Sequence, residues 1–249
     1  MRRIRLVGIA AGLVFILVSC STAKTPQEPT STRGSSPPAE AVLKRMARVY
    51  ISVKSYADSG EVYDYRNGVR EPDTMSFRIH FVRPDHLRFE MTKYIGSPYF
   101  PKTYYVLWSY GNATYTWCQS YPQIETCRDV TSAITQFTGI SDRSVHNIPS
   151  LLQTNFGWQE YLYHLTSPRI LGQEVFEQVD CYRIQGGGKG ERQFEIWLGK
   201  SDYLIRKIRT TYPGFSSEEI HRGIAINEPT SPDMLSFTPP MSIENQRQN

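Results

Sequence analysis

The sequence predicts a mainly β domain of the α+β class, in which a curved antiparallel sheet of about 11 strands wraps over a few helices. The chain is rich in aromatic residues, with 16 Tyr, 11 Phe and 4 Trp, and these residue types favour strands. Apolar and polar residues alternate in many short segments, which is the period of a half-buried strand. These segments follow one another as hairpins, so the sheet is expected to be antiparallel, with its apolar face covered by helices.

The first residues have the pattern of a lipoprotein secretion signal. A basic head at residues 2–5 precedes an apolar run at residues 6–18, which is typical of a secretory signal peptide. The run is shorter than the roughly 20 residues that a membrane-spanning helix needs. Residues 17–20, Leu-Val-Ser-Cys, resemble a bacterial lipobox, which implies cleavage before Cys20 and acylation of that cysteine. An ordinary signal peptide with a chance cysteine and an uncleaved anchor are the alternatives.

These features divide the chain into four segments. We expect a signal peptide at residues 1–19, a lipidated cysteine with a flexible tether at 20–37, a folded domain at 38–240 and a C-terminal tail at 241–249. The tether is rich in Ser, Thr and Pro and has no apolar period, so it cannot bury enough surface to offset its ordering entropy.

Acylation at Cys20 would attach the protein to a bacterial membrane without spanning it. Resemblance to Gram-negative lipoproteins implies an outer-membrane location facing the periplasm, because Ser21 stands where an aspartate marks retention in the inner membrane. The formal net charge is +4, and loss of the three arginines of the signal peptide would leave a mature chain of +1. A mature chain with so small a net charge lacks the strong basic excess of a nucleic-acid-binding protein, so we predict no nucleic-acid partner.

A helical period opens the predicted domain. Val42, Met46, Val49 and Val53 recur at spacings of four, three and four, so they would share one face of a helix over residues 38–54.

Two alternating strands then carry the clearest apolar face in the sequence. The first follows an Asn67-Gly68 dipeptide, which is a strong signal for a two-residue hairpin turn, and the second follows a turn at residues 83–85. Their apolar residues are expected to line the enclosed side of the sheet, either as ligand-binding residues of a cavity or simply as core: Phe77, Ile79, Phe81, Leu87, Phe89 and Met91.

The middle of the chain is predicted to supply a helical lid. After strands at residues 104–110 and 114–118, a helix is expected at 129–137 with Asp129 as its cap, and another at 148–156 with a proline in its first turn. Four residues would give the lid its contacts with the sheet: Ile134, Phe137, Leu151 and Leu152. About five further strands complete the sheet between residues 161 and 226.

The cysteines allow one disulfide. A turn centred on Pro122-Gln123 would place Cys118 and Cys127 directly opposite each other across a hairpin, and closing so short a loop would contribute roughly 2 to 3 kcal/mol. Cys181 would then be a buried thiol. The alternative is that all three are unpaired core residues.

Sequence patterns for catalysis or metal binding are missing. No two of the five histidines have His-x-x-x-His spacing, and neither Cys-x-x-Cys nor Gly-x-Ser-x-Gly occurs. We therefore predict no metal site, no cofactor and no enzymatic activity. Glu218-Glu219 is expected to lie on the solvated surface, and the glycines at 186–188 in a flexible hairpin turn.

Several segments resemble the LolA/LolB superfamily of bacterial lipoprotein carriers and receptors. Residues 81–91, Phe-Val-Arg-Pro-Asp-His-Leu-Arg-Phe-Glu-Met, are similar to the family's Arg-Pro corner between two strands, and residues 235–240, Leu-Ser-Phe-Thr-Pro-Pro, to its closing segment. Residues 59–62 and 139–141 fit a less specific pattern of LolA-like lipoproteins. The resemblance covers about residues 40–240.

The resemblance implies an incomplete antiparallel β-barrel with a helical lid over an apolar cavity that receives acyl chains. Arg83 matches the arginine that helps hold the lid closed in LolA; the alternative is a turn arginine that pairs with Asp85 or solvent. The implied function is binding of a lipid or lipoprotein acyl moiety, with a role in lipid or lipoprotein transport or sorting. The alternative is a sensor or protein-interaction module of the cell envelope, similar to RseB.

Replacement of the acylated residue tests the anchor. We expect the mature protein to begin at Cys20 and to carry acyl mass, and Cys20→Ala to lose that mass because no thiol remains at that position for acylation. Intact-mass spectrometry checks this, with Ser21→Ala as the control that keeps its acyl mass. A protein that retains residues 1–19 and carries no acyl mass would indicate an uncleaved anchor instead.

Overall fold

One helix, six strands, two helices and five strands follow one another along the chain, in the predicted order. The computed structural model describes residues 37–94, 102–138, 144–153, 162 and 164–240. Cys20, the signal peptide, the tether, the C-terminal tail and the segment 139–141 lie outside the described residues.

The helices are α1 (Ala39–Ser52), α2 (Val130–Thr138) and α3 (Ser144–Leu152). The first half of the sheet comprises β1 (Ser55–Arg66), β2 (Val69–Val82), β3 (His86–Tyr94), β4 (Thr103–Tyr110), β5 (Ala113–Cys118) and β6 (Tyr121–Cys127). The second half comprises β7 (Thr166–Phe176), β8 (Val179–Gly187), β9 (Gln193–Gly199), β10 (Ile205–Tyr212) and β11 (Phe215–Ile226).

The strands form one antiparallel sheet in the order β6-β5-β4-β3-β2-β1-β11-β10-β9-β8-β7. Each half is a meander of sequential hairpins, and the pairing of β1 with β11 joins the two halves. Since β6 and β7 are the two ends of this order, the sheet is not closed. The prediction of an incomplete antiparallel β-barrel is confirmed.

The three helices cover one face of the sheet, which we call the inner face. Helix α2 packs against β4, β5 and β6, whereas α1 contacts β7, and α3 packs against both α1 and α2. A hydrogen bond from the backbone N–H of Ile205 to the Tyr50 hydroxyl, 3.0 Å long, ties α1 to the start of β10. The cover therefore consists of separate short helices rather than a second sheet.

Local signals in the sequence place several turns and caps correctly. Asn67 and Gly68 both have positive φ, 50° and 81°, as a type I′ hairpin turn requires. The Asp129 carboxylate accepts a 2.7 Å hydrogen bond from the backbone N–H of Ser132, so Asp129 caps α2 as predicted.

The third helix begins earlier than predicted. It spans Ser144–Leu152 and contains Pro149 in its interior, whereas the sequence analysis placed the proline in the first turn of a helix at 148–156. Val145 and Ile148 are fully buried along with Leu152. Residues that precede the proline therefore belong to the buried apolar face that holds this helix in place. The glycine-rich turn is also displaced, because β8 continues to Gly187 and the chain turns after it.

The disulfide prediction is wrong. The chain turns at residues 119–120, which places Cys118 opposite Tyr121 and Cys127 opposite Thr114. The two cysteines are thus four residues apart along the ladder, about 13 Å, and a disulfide cannot bridge that separation. Both are free, as is the buried Cys181. Pro122 lies in the edge strand β6, where its missing N–H is tolerated.

The C-terminal segment packs on the opposite, outer face of the sheet. The Phe237 ring lies 5.2 Å from the Trp108 ring and 5.3 Å from the Trp117 ring, centroid to centroid. The Arg88 guanidinium donates hydrogen bonds to the backbone carbonyls of Asp233 and Ser236. The closing segment therefore fastens the end of the chain to β3, β4 and β5 by aromatic packing.

Gly60 is required where β1 and β11 pair. A side chain there would collide with the Ile220 carbonyl oxygen and the Phe77 ring, so we expect Gly60→Ala to lower the free energy of unfolding by about 3 kcal/mol. Gly172, in the edge strand β7, has open space around its Cα, and Gly172→Ala should change stability by less than about 0.5 kcal/mol. Urea denaturation of both variants checks this, and equal effects would contradict it.

Candidate functional site

The structure brings the predicted wall residues together on the inner face. Residues of β2 and β3 pair as Phe77 with Met91, Ile79 with Phe89, and Phe81 with Leu87. The Phe77 and Phe89 rings stack at 6.1 Å between centroids. All six are at most 3% exposed, so they form one continuous apolar surface.

The predicted lid residues are buried in the same cluster as this wall. Ile134 and Phe137 of α2 and Leu151 and Leu152 of α3 are at most 4% exposed and belong to the same buried cluster as the wall. The Phe137 ring lies 6.2 Å from the ring of Tyr105, on β4. In this structure the helices hold the wall out of water, and any apolar ligand that reaches the wall must take the place of helix side chains.

Arg83 lies at the end of α1. Its Nε donates a 2.9 Å hydrogen bond to the Val53 carbonyl, and its Nη2 donates one of 3.1 Å to the Tyr50 carbonyl. A cation at a helix C-terminus stabilises the unpaired carbonyls there. The guanidinium thus attaches the corner between β2 and β3 to α1.

A buried ionic triad, unanticipated from the sequence, lies beside the wall. His221 Nδ1 is 2.7 Å from Asp58 Oδ2, and His221 Nε2 is 3.0 Å from Glu219 Oε1. The three side chains are 0%, 0% and 5% exposed. Register places Asp58 opposite the wall residue Ile79, and the His221 ring lies 5.3 Å from the Phe77 ring. The triad therefore interrupts an otherwise apolar inner face.

Neighbouring elements hold the triad in place. The Tyr56 hydroxyl donates a 2.7 Å hydrogen bond to Asp58 Oδ2. From the lid helix α3, Asn147 Nδ2 donates a 2.6 Å hydrogen bond to Glu219 Oε2. The prediction that Glu218-Glu219 is a solvated pair is wrong, since Glu219 faces the interior and Glu218 pairs on the outer face with Lys207 and Arg209.

Electrostatics within the triad favour a charged imidazole. Burial by itself lowers the pKa of His221, but the adjacent Asp58 and Glu219 carboxylates outweigh that effect and raise the pKa to about 9. With His221 protonated at neutral pH, the triad carries one net negative charge in a low-dielectric interior.

The outer face carries a polar groove of about 570 Å³, lined in part by Ser59, Arg78, Thr92, Tyr104 and Arg222. Its lining lacks the continuous apolar surface of the inner face. In the part of the chain that the structure describes, no group of three or more His, Cys, Asp or Glu side chains is placed to hold a metal ion. No helix among the described residues is long and apolar enough to cross a bilayer.

The chain is similar to several solved structures of bacterial proteins, among them a lipoprotein and a LolA superfamily protein. LprF from Mycobacterium bovis is 9% identical, with a TM-score of 0.49 over 79% of this chain and 97% of that one. The Mycobacterium tuberculosis lipoprotein LppX is 12% identical, with a TM-score of 0.47 over 78% and 97%. A LolA superfamily protein from Nitrosomonas europaea is 9% identical, with a TM-score of 0.34 over 81% and 99%.

At these identities and scores no function is carried over from the similar structures. No protein-family model and no curated protein matches the sequence.

The triad makes stability depend on pH. The pKa of His221 rises from its usual 6.5 to about 9 on folding, so its stabilising effect is complete below pH 6.5 and is lost as pH rises through about 9. We expect the urea midpoint to fall between pH 7 and 9, and His221→Gln to remove that slope. Burial raises the pKa of the Cys127 and Cys181 thiols, so ionisation of these thiols affects stability only at higher pH. An unchanged slope in His221→Gln would contradict this assignment.

Proposed function

We propose that this protein is a lipid-anchored protein of the bacterial cell envelope that binds acyl chains of a lipid or lipoprotein between its sheet and its helices. The observation that carries the proposal is the single buried cluster of wall and lid residues on the inner face. Its wall belongs to a continuous sheet, whereas its cover belongs to separate helices. Wall and cover can therefore part without breaking the hydrogen-bond ladder of the sheet.

The lid helices are well suited to displacement. Helices α2 and α3 have nine residues each, and isolated helices of that length are marginal in water, so packing on the wall holds them in place. Pro149 inside α3 also removes one backbone hydrogen bond of that helix.

Capture would proceed by exchange of apolar contacts. An acyl chain entering along the wall takes over the positions of lid side chains such as Phe137 and Leu151, and the ligand gains roughly 0.8 kcal/mol for each methylene that it removes from water. The cost is the contact area that the helices give up. Binding is therefore favoured for a long chain, which recovers more area than the lid loses.

The anchor and the Arg-Pro corner complete the proposal. Acylated Cys20 would hold the domain close to the membrane that supplies the ligand, most simply the outer membrane. Arg83 would act on the lid through α1, which it caps and which packs against α3. Arg83 would thus stabilise the closed position of the lid indirectly, through α1.

Lipid extraction tests the proposed function directly. We expect the folded domain, purified from bacterial membranes without detergent exchange, to release acyl-containing lipids that mass spectrometry identifies. The same domain should bind a fluorescent fatty acid that unlabelled lipid displaces. Absence of both lipid and displaceable probe, with cross-linking that traps an envelope protein, would favour the sensor or interaction module instead.

Two matched alanine substitutions distinguish the contribution of the lid to ligand binding from that of the wall. Phe137→Ala removes a lid contact that competes with the ligand, so we expect about tenfold tighter binding of the fatty-acid probe. Phe89→Ala removes wall area that the ligand uses, so we expect weaker binding by a similar factor. Each variant also loses about 3 to 5 kcal/mol of stability, which urea denaturation measures separately. Changes of the same sign in both variants would contradict the exchange mechanism.

A further inference from the structure

The ionic triad lies on the inner face, beside the wall along which the proposed acyl chain would lie. Asp58, Glu219 and His221 share the inner face with Phe77 and Ile79, because β1 pairs with β2 on one side and with β11 on the other. The triad is therefore within the surface that the proposed acyl chain would follow.

The packing of the wall does not explain why these charged side chains are buried beside it. Taking a carboxylate out of water costs several kcal/mol even in an ion pair, and apolar residues of similar volume are often as stable or more so. Asp58 Oδ1 is buried and has no hydrogen-bond partner among the described residues, although Asp58 Oδ2 receives two. Asp58 Oδ1 is thus an acceptor on the inner face that can still receive a hydrogen bond.

The lid supplies a donor that a ligand can replace. Asn147 of α3 gives its Nδ2–H to Glu219 Oε2, and this bond joins the lid helix to the sheet at the triad. When α3 moves aside, Glu219 loses that donor, while its other oxygen stays 3.0 Å from His221 Nε2. A donor group on the incoming molecule restores the bond.

We infer that the Asp58–His221–Glu219 triad is a polar subsite that accepts a hydrogen bond from the group next to the acyl chain, and so selects lipids with a hydroxyl or ammonium donor. The inference rests on the proposed function, since it needs the lipid to lie along the inner wall. A site with a net negative charge accepts hydrogen bonds from donor groups of a ligand and repels its phosphate and carboxylate groups.

Four probes with the same hydrocarbon chain test the subsite. Hexadecanol offers a hydroxyl, hexadecylammonium offers a cationic donor, hexadecyl methyl ether offers no donor, and hexadecyl phosphate is anionic. We expect the full-length protein to bind the first two about tenfold more tightly than the ether, and the phosphate least tightly. Displacement of a fluorescent fatty acid measures all four, and the ratio between the two donors distinguishes a hydroxyl from an ammonium ligand.

Glu219→Gln is the diagnostic variant, with Glu218→Gln as its matched control. Both remove one negative charge from adjacent residues of β11, but Glu218 pairs on the outer face with Lys207 and Arg209. We expect Glu219→Gln to lower the preference for hexadecylammonium over the ether by about tenfold, and Glu218→Gln to leave it unchanged. Asn147→Ala, which keeps the triad intact, should raise affinity for hexadecanol more than for the ether.

The outcomes separate this inference from the proposed function. If no probe binds, the proposed function fails. If all four bind equally, or if Glu219→Gln and Glu218→Gln behave alike, the polar subsite is overturned while acyl binding stands. Preference for hexadecyl phosphate would also overturn it.

Discussion

The pairing of β1 with β11 is the constraint on which the structure depends. It joins two meanders, each built from local hairpins, into one 11-stranded sheet. Residues more than 150 positions apart in the chain become neighbours in this ladder, as Asp58 and His221 do. The pairing needs Gly60, because the Phe77 ring and the Ile220 carbonyl occupy the space that a side chain would take. Without this junction neither the continuous wall nor the triad would exist.

The two faces of the sheet are stabilised differently. On the outer face the end of the chain packs Phe237 against tryptophans of β4 and β5, and Arg88 holds the neighbouring carbonyls. On the inner face three helices supply apolar cover together with Leu162 and Leu165, and α3 has a polar bond to the sheet through Asn147 and Glu219. The C-terminal segment thus covers part of the outer face and separate helices cover the inner face, so the proposed capture of a ligand would open the inner side.

Buried charge gives the inner face its chemical character. Under the proposed function, the wall alone would not distinguish between hydrocarbons of suitable length, since apolar burial is non-directional. The triad adds a fixed acceptor beside that wall, held by Tyr56 and by the protonated His221. Polar groups with fixed positions in an apolar site are what give such sites their specificity, which is why the triad bears on ligand identity.

Much of this fold could be predicted from the sequence, because hydrophobic alternation, a helix cap and turn residues each have a local pattern. Alternation identified the wall residues from Phe77 to Met91, and Asp129 and Asn67-Gly68 marked a helix start and a hairpin. These features depend on residues close together in the chain. Tertiary structure decided the rest, because it depends on pairings between distant segments. Gly223 has a φ of 61° at an irregularity in the pairing of β1 with β11, which reverses the faces along β11. Glu219 and His221 therefore enter the core, and Ile220, between them, points outward. In the same way, a turn at residues 119–120 separated Cys118 from Cys127, and burial of Val145 and Ile148 extended α3 to the N-terminal side of Pro149.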